Sequence, residues 1–541
     1  MSESNEHVDV LVVGAGPSGG VVARALAEAG FSVTCLEQGR WHNADEYPGQ
    51  KPEFFLLSGK PWSFNPNVRM GEEDYPCDVS GAEVHPVMFN AVGGSTIHFA
   101  AQWVRFVPSD FKVRSLDGVA DDWPISYEDL VPFYEEIDDW VGVSGLAGDP
   151  AYPPVNAPPL PPLPIGKMGR RAALGMNALG WHWWPGVHAI ATRKHGRQEP
   201  CARRGVCLWG CPEGAKGSAD VALFPEAIRH GARIVTGARV RAITTNAAGL
   251  ATGAVWVDRD GAEHHQAADV VVLAANGVGS ARLMLLSASS HFPDGLGNSS
   301  GLVGKRLMMH PVTAVVGVYE EQLDSWLGPY GNAIYSLEFA EGDASRGFPR
   351  GAKWECCPVP GPGEVYVRYL GLPPEERTGV ELHRLVSEGL GHMFEWLITV
   401  EDLPQDDNAV TLDPTLTDSD GIPAPRITYT MSSVTHAALA AMTEAGLEAH
   451  RASGALSTTV TSGGMPDTGW HLLGTARMGN DPSASVVDPY CRAHDVPNLF
   501  VVDGSAFVTS SSVNPTATIS ALALRAARHM IANARNQEVP A

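Results

Sequence analysis

Apolar and polar positions divide the chain into four regular stretches separated by loop-rich sequence. The first, Val8 to Gly39, reads as strand, glycine-rich turn, helix, strand. Its apolar run Val10 to Val13 begins as a strand and is too short to span a bilayer. The second, Ala232 to Ser287, opens with alternating strands at Arg233-Ile234-Val235 and Val240-Arg241-Ala242-Ile243. It continues through Ala254 to Val257 and an Asp260-Gly261 turn. The run Val270 to Ala275 then predicts a buried strand, with a helix from about Ser280. The third stretch, Glu364 to Tyr429, predicts strands at Glu364 to Tyr369 and Phe394 to Val400. The last, Asn498 to Asn533, leads from a strand beginning at Leu499 through a polar loop into a long C-terminal helix. The proline cluster Pro153 to Pro164 allows neither helix nor central strand and reads as an extended connector or a lid.

At 541 residues the chain exceeds what one hydrophobic core serves, and two domains are expected. A net charge of −23 argues against nucleic acid and equally against an anionic membrane surface. No segment approaches about 18 uninterrupted apolar residues, and no signal-peptide pattern precedes the first strand. Eight cysteines without a secretory pattern fit a reducing cytoplasm, which is the expected location.

Gly14, Gly16 and Gly19 lie between the first strand and the helix, which is the context a dinucleotide-binding turn needs. Gly14 makes the turn, Gly16 admits a pyrophosphate, and Gly19 allows helix and strand to pack closely. The free N–H groups of the helix start suit that anion. Glu37 ends the next strand, placed to bond the adenosine ribose hydroxyls. These residues predict a bound dinucleotide and leave FAD and NAD as alternatives.

Three further blocks bring in a resemblance. They are Asp269 to Ser287, Val303 to Pro311, and a C-terminal set of Trp470-His471, Gly474 to Gly479, Asp503-Gly504 and Val513-Asn514-Pro515-Thr516. In order and spacing they resemble the glucose-methanol-choline oxidoreductases, over essentially the whole chain. Asn276 stands where that family commonly has glycine. The resemblance implies an α/β (α+β overall) protein whose Rossmann-like FAD-binding domain is interleaved with a substrate domain built on an antiparallel sheet with helices. The expected division is 1–105, 215–312 and 460–541 for FAD, and 106–214 and 313–459 for substrate, with a proline-rich connector at 151–165. The resemblance implies His471 and Asn514 as catalytic residues. It implies flavin contacts at Gly93, Gly94, Ser95, His98, Val240, Ala275, Asp503, Gly504, Asn514, Pro515 and Thr516.

The stretches Val92 to Phe106 and Asp122 to Tyr134 look most like bacterial sugar dehydrogenases and pyranose or glycoside oxidases. A secondary hydroxyl of a pyranose or glycoside is therefore the expected substrate. The expected electron acceptor is oxygen or a quinone- or dye-type compound. A non-sugar or sterol-like alcohol, and a family lyase without net redox, are the alternatives; a flavoprotein scaffold has no use for the His471–Asn514 pair. His98 occupies the position where pyranose oxidases tether flavin covalently, and non-covalent packing against FAD is expected. Cys201, Cys207 and Cys211 lack the C-x2-C spacing of zinc sites. Similar sugar dehydrogenases hold an iron–sulfur cluster in this region, but Ala202 replaces one expected cysteine, so free thiols and no metal are expected. Chemically, an alcohol becomes a carbonyl by losing a proton and a hydride. His471 is expected to serve as base because imidazole titrates near neutrality, with Asn514 holding the oxygen.

Overall fold

The computed structural model describes residues 6–50, 60–369, 372–461 and 466–538. Strand β1 (Val8–Val13) lies at the centre of a seven-stranded sheet. It pairs in parallel with β2 (Val33–Glu37) on one side and with the strand Glu263–Leu273 on the other. Its run of valine and leucine is buried because both faces are covered, as in parallel sheets generally. Helix α1 (Pro17–Glu28) starts with proline at its first position, where the missing N–H costs nothing. Gly14 has φ +103°, and a Cβ there would lie 2.5 Å from the Ala274 carbonyl oxygen. At Gly19 a Cβ would come within 2.1 Å of the Gly14 oxygen, so helix and turn pack at a distance only glycine permits.

The strand Glu263–Leu273 changes partners along its length. Its first half pairs antiparallel with Ala251–Val257, and its second half pairs in parallel with Leu499–Val501. In this way the C-terminal segment joins the sheet that begins at residue 8, and the helix Thr516–Glu538 packs on α1. A second, six-stranded sheet is antiparallel, in the order Ser457–Val460, Val312–Val318, Met393–Val400, Ala352–Pro358, Ile334–Phe339, Trp184–Pro185. A three-stranded sheet of Ala409–Thr417, Pro423–Tyr429 and Asp78–Ala82 is the third sheet among the described residues. Among the described residues no helix is long and apolar enough to cross a membrane.

Two local expectations are corrected. Glu364 to Tyr369 does not form a strand; Pro362–Arg368 is a helix. Gly361 precedes it, Pro362 starts it, and Arg368 reaches back one turn to Glu364 at 2.7 Å. These signals outweigh the strand preference of Val365, Tyr366 and Val367. The helix expected from Ser280 begins four residues earlier, spanning Asn276–Leu286. Asn276 takes φ +67°, a conformation asparagine tolerates, and its Oδ1 accepts the N–H groups of Val278 and Gly279. The proline cluster has no helix or sheet strand; Leu160 makes an isolated bridge to Ser144.

The loop before the C-terminal helix, and the first turn of that helix, are held by residues far away in sequence. Trp123 Nε1 donates to Thr509 Oγ1 at 2.8 Å, and Tyr134 OH bonds Thr518 Oγ1 at 2.7 Å. Ser511 Oγ donates to Asp110 Oδ2 at 2.7 Å. Arg350 in turn bridges Asp110, Asp117 and Glu401, all within 2.8 Å. The 122–134 stretch thus helps fix the backbone that carries Asn514.

Candidate active site

A cavity of about 520 Å³ is lined from both large sheets. At one end lie Gly14, Gly16 and the start of α1, with Glu37, Val240 and Ala275 around them. A Cβ at Gly16 would meet only the Ala274 oxygen, at 3.9 Å, and would otherwise occupy the cavity itself. Bare glycine backbone beside a helix N-terminus fits a pyrophosphate. Glu37 is buried there, accepting the N–H groups of Ala15 (2.7 Å) and Gly39 (2.8 Å). Burial raises its carboxyl to about 7 despite those two bonds. These features fit the nucleotide half of FAD.

Further along, Gly94, Ser95, His98, Asp503, Gly504, Asn514, Pro515 and Thr516 line the same cavity. The helix Thr516–Glu538 begins there, so its positive end faces the cavity. Gly19 and Gly93 act from behind the lining. Gly19 supports the turn from the helix side, and the Gly93 N–H donates to the Ala15 oxygen at 2.8 Å. Both carboxylate oxygens of Asp503 are committed, one to Ser280 Oγ and the other to the N–H and hydroxyl of Ser505. Asp503 therefore joins the start of helix Asn276–Leu286 to the strand Leu499–Val501.

His98 sits among Phe64, Phe89, Trp62 and Trp209. Its Nδ1 donates to the Leu208 oxygen at 2.6 Å, and its Nε2 is buried without a hydrogen-bond partner. Burial lowers the imidazole to about 3, so it is neutral. Cys201, Cys207 and Cys211 are unpaired, and each sulfur accepts a main-chain N–H, from Arg203, Tyr330 and Ala215 respectively. Among the described residues no group of three or more His, Cys, Asp or Glu is arranged to hold a metal ion.

His471 and Asn514 both line the cavity, brought together from segments 43 positions apart in sequence. His471 Nδ1 lies 2.7 Å from His310 Nδ1. His310 Nε2 lies 3.1 Å from the Ser510 carbonyl oxygen, which can only accept, so that nitrogen carries the proton. A neutral His310 then has an acceptor at Nδ1, and His471 must donate from its own Nδ1. His471 Nε2 is left as an unprotonated lone pair. Burial holds His310 neutral, lowering it to about 4. The expectation that His471 titrates near neutrality is corrected: burial, then the charges possible at His310 and Lys353, lower it well below the usual imidazole value. It is a neutral acceptor throughout the physiological range.

Beyond the histidines, the polar residues Gln102, Tyr330, Glu355, Glu364, Arg368, Glu395, Thr399 and Thr461 share a wall with apolar Val312, Ala314, Val367 and Leu397. Arg368 bonds Glu364 at 2.7 Å and Glu395 at 2.8 Å. Lys353 lies behind this wall, fully buried, with its ammonium on Glu355, Asn514 and Gln102. Sequence reasoning assigned roles to none of these wall residues, nor to His310 or Lys353. The one sequence signal for Lys353 and Glu355 was their alternation with apolar residues in Ala352–Pro358, which the structure shows to be a strand buried at all seven positions.

Residues 174–312 and 404–523 match two family models described as GMC oxidoreductase, and residues 7–46 match one described as FAD binding domain. The 2-methyl-1,2-propanediol dehydrogenase of Mycolicibacterium austroafricanum is 42% identical over 97% of this chain and 95% of its own. The fructose dehydrogenase large subunit of Gluconobacter japonicus is 29% identical over 97% of this chain and 98% of its own. A formate oxidase structure from Aspergillus oryzae RIB40 superposes with a TM-score of 0.66 at 16% identity, covering 98% of this chain and 99% of that one.

Proposed function

Because this chain belongs to the GMC oxidoreductase family and uses FAD to oxidise an alcohol, we propose that it oxidises one hydroxyl of a vicinal polyol, with His471 as base. FAD, when bound, supplies the acceptor for the hydride of the carbinol carbon. His471 takes the hydroxyl proton at Nε2. Asn514 holds the same oxygen and stabilises the charge that develops on it. The fixed tautomer of His471 carries this reading, since a lone pair at Nε2 is what a base must present.

Gln102, Thr399, Thr461 and the Arg368–carboxylate group offer donors and acceptors to a substrate with several hydroxyls. We take a secondary hydroxyl of a pyranose or glycoside as the first reading. A small branched diol is the second, and the 42% identity to a 2-methyl-1,2-propanediol dehydrogenase favours it. We place the reaction in the cytoplasm, where eight unpaired cysteines are at home, with oxygen or a quinone-type acceptor completing turnover.

Anaerobic bleaching of the bound flavin by D-glucose, D-fructose, a methyl glycoside and 2-methyl-1,2-propanediol tests the reading and separates its two forms. His471→Ala should keep its FAD and reduce it about 10²–10⁴-fold more slowly. Asn514→Ala should lose about 10–10³-fold. A His471→Ala enzyme with full FAD and wild-type reduction would remove His471 as the base.

A further inference from the structure

A lysine with no exposed surface is rare, because an ammonium leaves water only where its donors are all taken up. Lys353 meets that condition. Its three N–H groups have three acceptors: Glu355 Oε1 at 2.6 Å, Asn514 Oδ1 at 2.6 Å, and Gln102 Oε1. Gln102 is itself fixed, with its Oε1 also accepting from Asn332 Nδ2 at 2.9 Å and its Nε2 donating to the Gly331 oxygen at 3.1 Å. Lys353 and Glu355 alternate on one strand and so share one face of the six-stranded sheet. Glu355, Gln102 and Asn514 line the cavity, whereas Lys353 stands one layer behind.

The consequence falls on Asn514. An ammonium has only donors, so the end of the amide that faces it must be the oxygen. The Asn514 Nδ2 amide is then the end left for a ligand, and it is a donor.

We propose that Lys353 is a positioning residue for the reaction: it locks the Asn514 amide so that Nδ2 donates to the substrate oxygen, and it places a fixed positive charge behind that oxygen. The inference rests on the reading of His471 and Asn514 given above. It adds a reason for a buried ion pair at this point of the sheet, where a packed apolar pair would fold at least as well. The same charge bears on His471, whose charged and titratable neighbours are His310 and Lys353, the latter paired with Glu355. Lys353 keeps the imidazole neutral to lower pH. Without it the neutral base is lost sooner on acidification, and the acid limb of the rate profile moves to higher pH.

The test uses the FAD-loaded full-length enzyme and anaerobic flavin reduction by the fastest alcohol of the panel above. Lys353→Met combined with Glu355→Gln removes both charges together, so that no unpaired charge stays buried. This double variant should keep its FAD and slow the limiting reduction rate about 10–100-fold, with half-saturation changing far less. Its acid limb should move to higher pH. Lys353→Gln with Glu355→Gln should recover much of the rate, since a glutamine amide can donate to Asn514 Oδ1, while its acid limb stays displaced. Adding Asn514→Ala to the first double variant should cost little beyond Asn514→Ala alone, because both act through one amide. Reduction within about twofold of wild type, or losses that multiply with Asn514→Ala, would overturn the proposal. If Asn514→Ala itself reduces flavin normally, the reading of the catalytic pair fails instead. A slow Asn514→Ala beside a fast Lys353 variant removes only the lysine.

Discussion

His310→Leu isolates the hydrogen bond that sets the His471 tautomer. In the wild type the order of donors is forced: His310 Nε2 donates to the Ser510 oxygen, and His471 Nδ1 donates to His310 Nδ1. The opposite tautomer of His471 would set two lone pairs against each other 2.7 Å apart in a buried site. Leucine fills the space and removes the acceptor. A buried donor left without a partner costs about 1–3 kcal/mol. That same amount no longer favours the tautomer with a free lone pair at Nε2. At about 1.4 kcal/mol per tenfold, flavin reduction should slow by roughly 5–150-fold. FAD content should not change, because His310 is not part of the cavity lining. His310→Asn should restore most of the rate, since an amide oxygen can accept where Nδ1 did. A protonated His310 would donate rather than accept at Nδ1. The wild-type rate should therefore be insensitive to this group well above pH 4 and fall as pH approaches about 4, while His310→Asn loses that component. Anaerobic stopped-flow reduction with the best alcohol of the panel, across pH, measures all three. Full FAD occupancy and near wild-type reduction in His310→Leu would refute the tautomer argument. So would His310→Asn proving no faster than His310→Leu.

Glu37 makes the FAD-free protein pH-sensitive in a stated direction: its folded carboxyl sits at about 7 against roughly 4.3 unfolded, so the folded state binds more protons between those values. Stability of the apoprotein should fall as pH rises through that window, by an amount on the order of 3–4 kcal/mol from this group. Urea unfolding should show Glu37→Gln losing this component, and an identical pH dependence in both proteins would contradict it. His98 should leave FAD non-covalently bound, its ring packed among Phe64, Phe89, Trp62 and Trp209 and held by the Leu208 carbonyl oxygen. Acid precipitation should then release the flavin into solution, whereas flavin retained in the washed pellet would show a bond.

What could be read from the sequence was set by residues near one another along the chain. The strand, glycine turn and helix of residues 8–28 follow from a local apolar run and from glycines whose missing side chains the packing requires. The helix that follows Asn514 is equally local, whereas the loop before it is fixed by distant Asp110 and Trp123. Where local preferences conflicted, reading by pattern failed. Val365, Tyr366 and Val367 favour a strand, yet Pro362 and the Glu364–Arg368 pair start a helix. At Asn276 a side-chain cap moved a helix start by one turn relative to Ser280, whose hydroxyl bonds Asp503 instead.

The partners of the catalytic pair were hidden for a different reason. His310 and His471 are 161 positions apart, and nothing local indicates which nitrogen of either ring carries a proton. Lys353 and Glu355 alternate with Ala352, Trp354 and Cys356 as residues do on a strand with one face in water. Here both faces are covered, and the charged face looks into the protein at the cavity. Alternation reports that two faces differ in polarity; it does not report whether the polar one meets solvent or substrate. The difference becomes visible only once Asn514 and Gln102 arrive from other elements to take up the lysine's donors. A buried charge on a sheet face costs stability unless it is fully paired, and pairing of this kind brings distant segments into register with one another. That is why the residues hardest to place from sequence are the ones that hold the site's geometry.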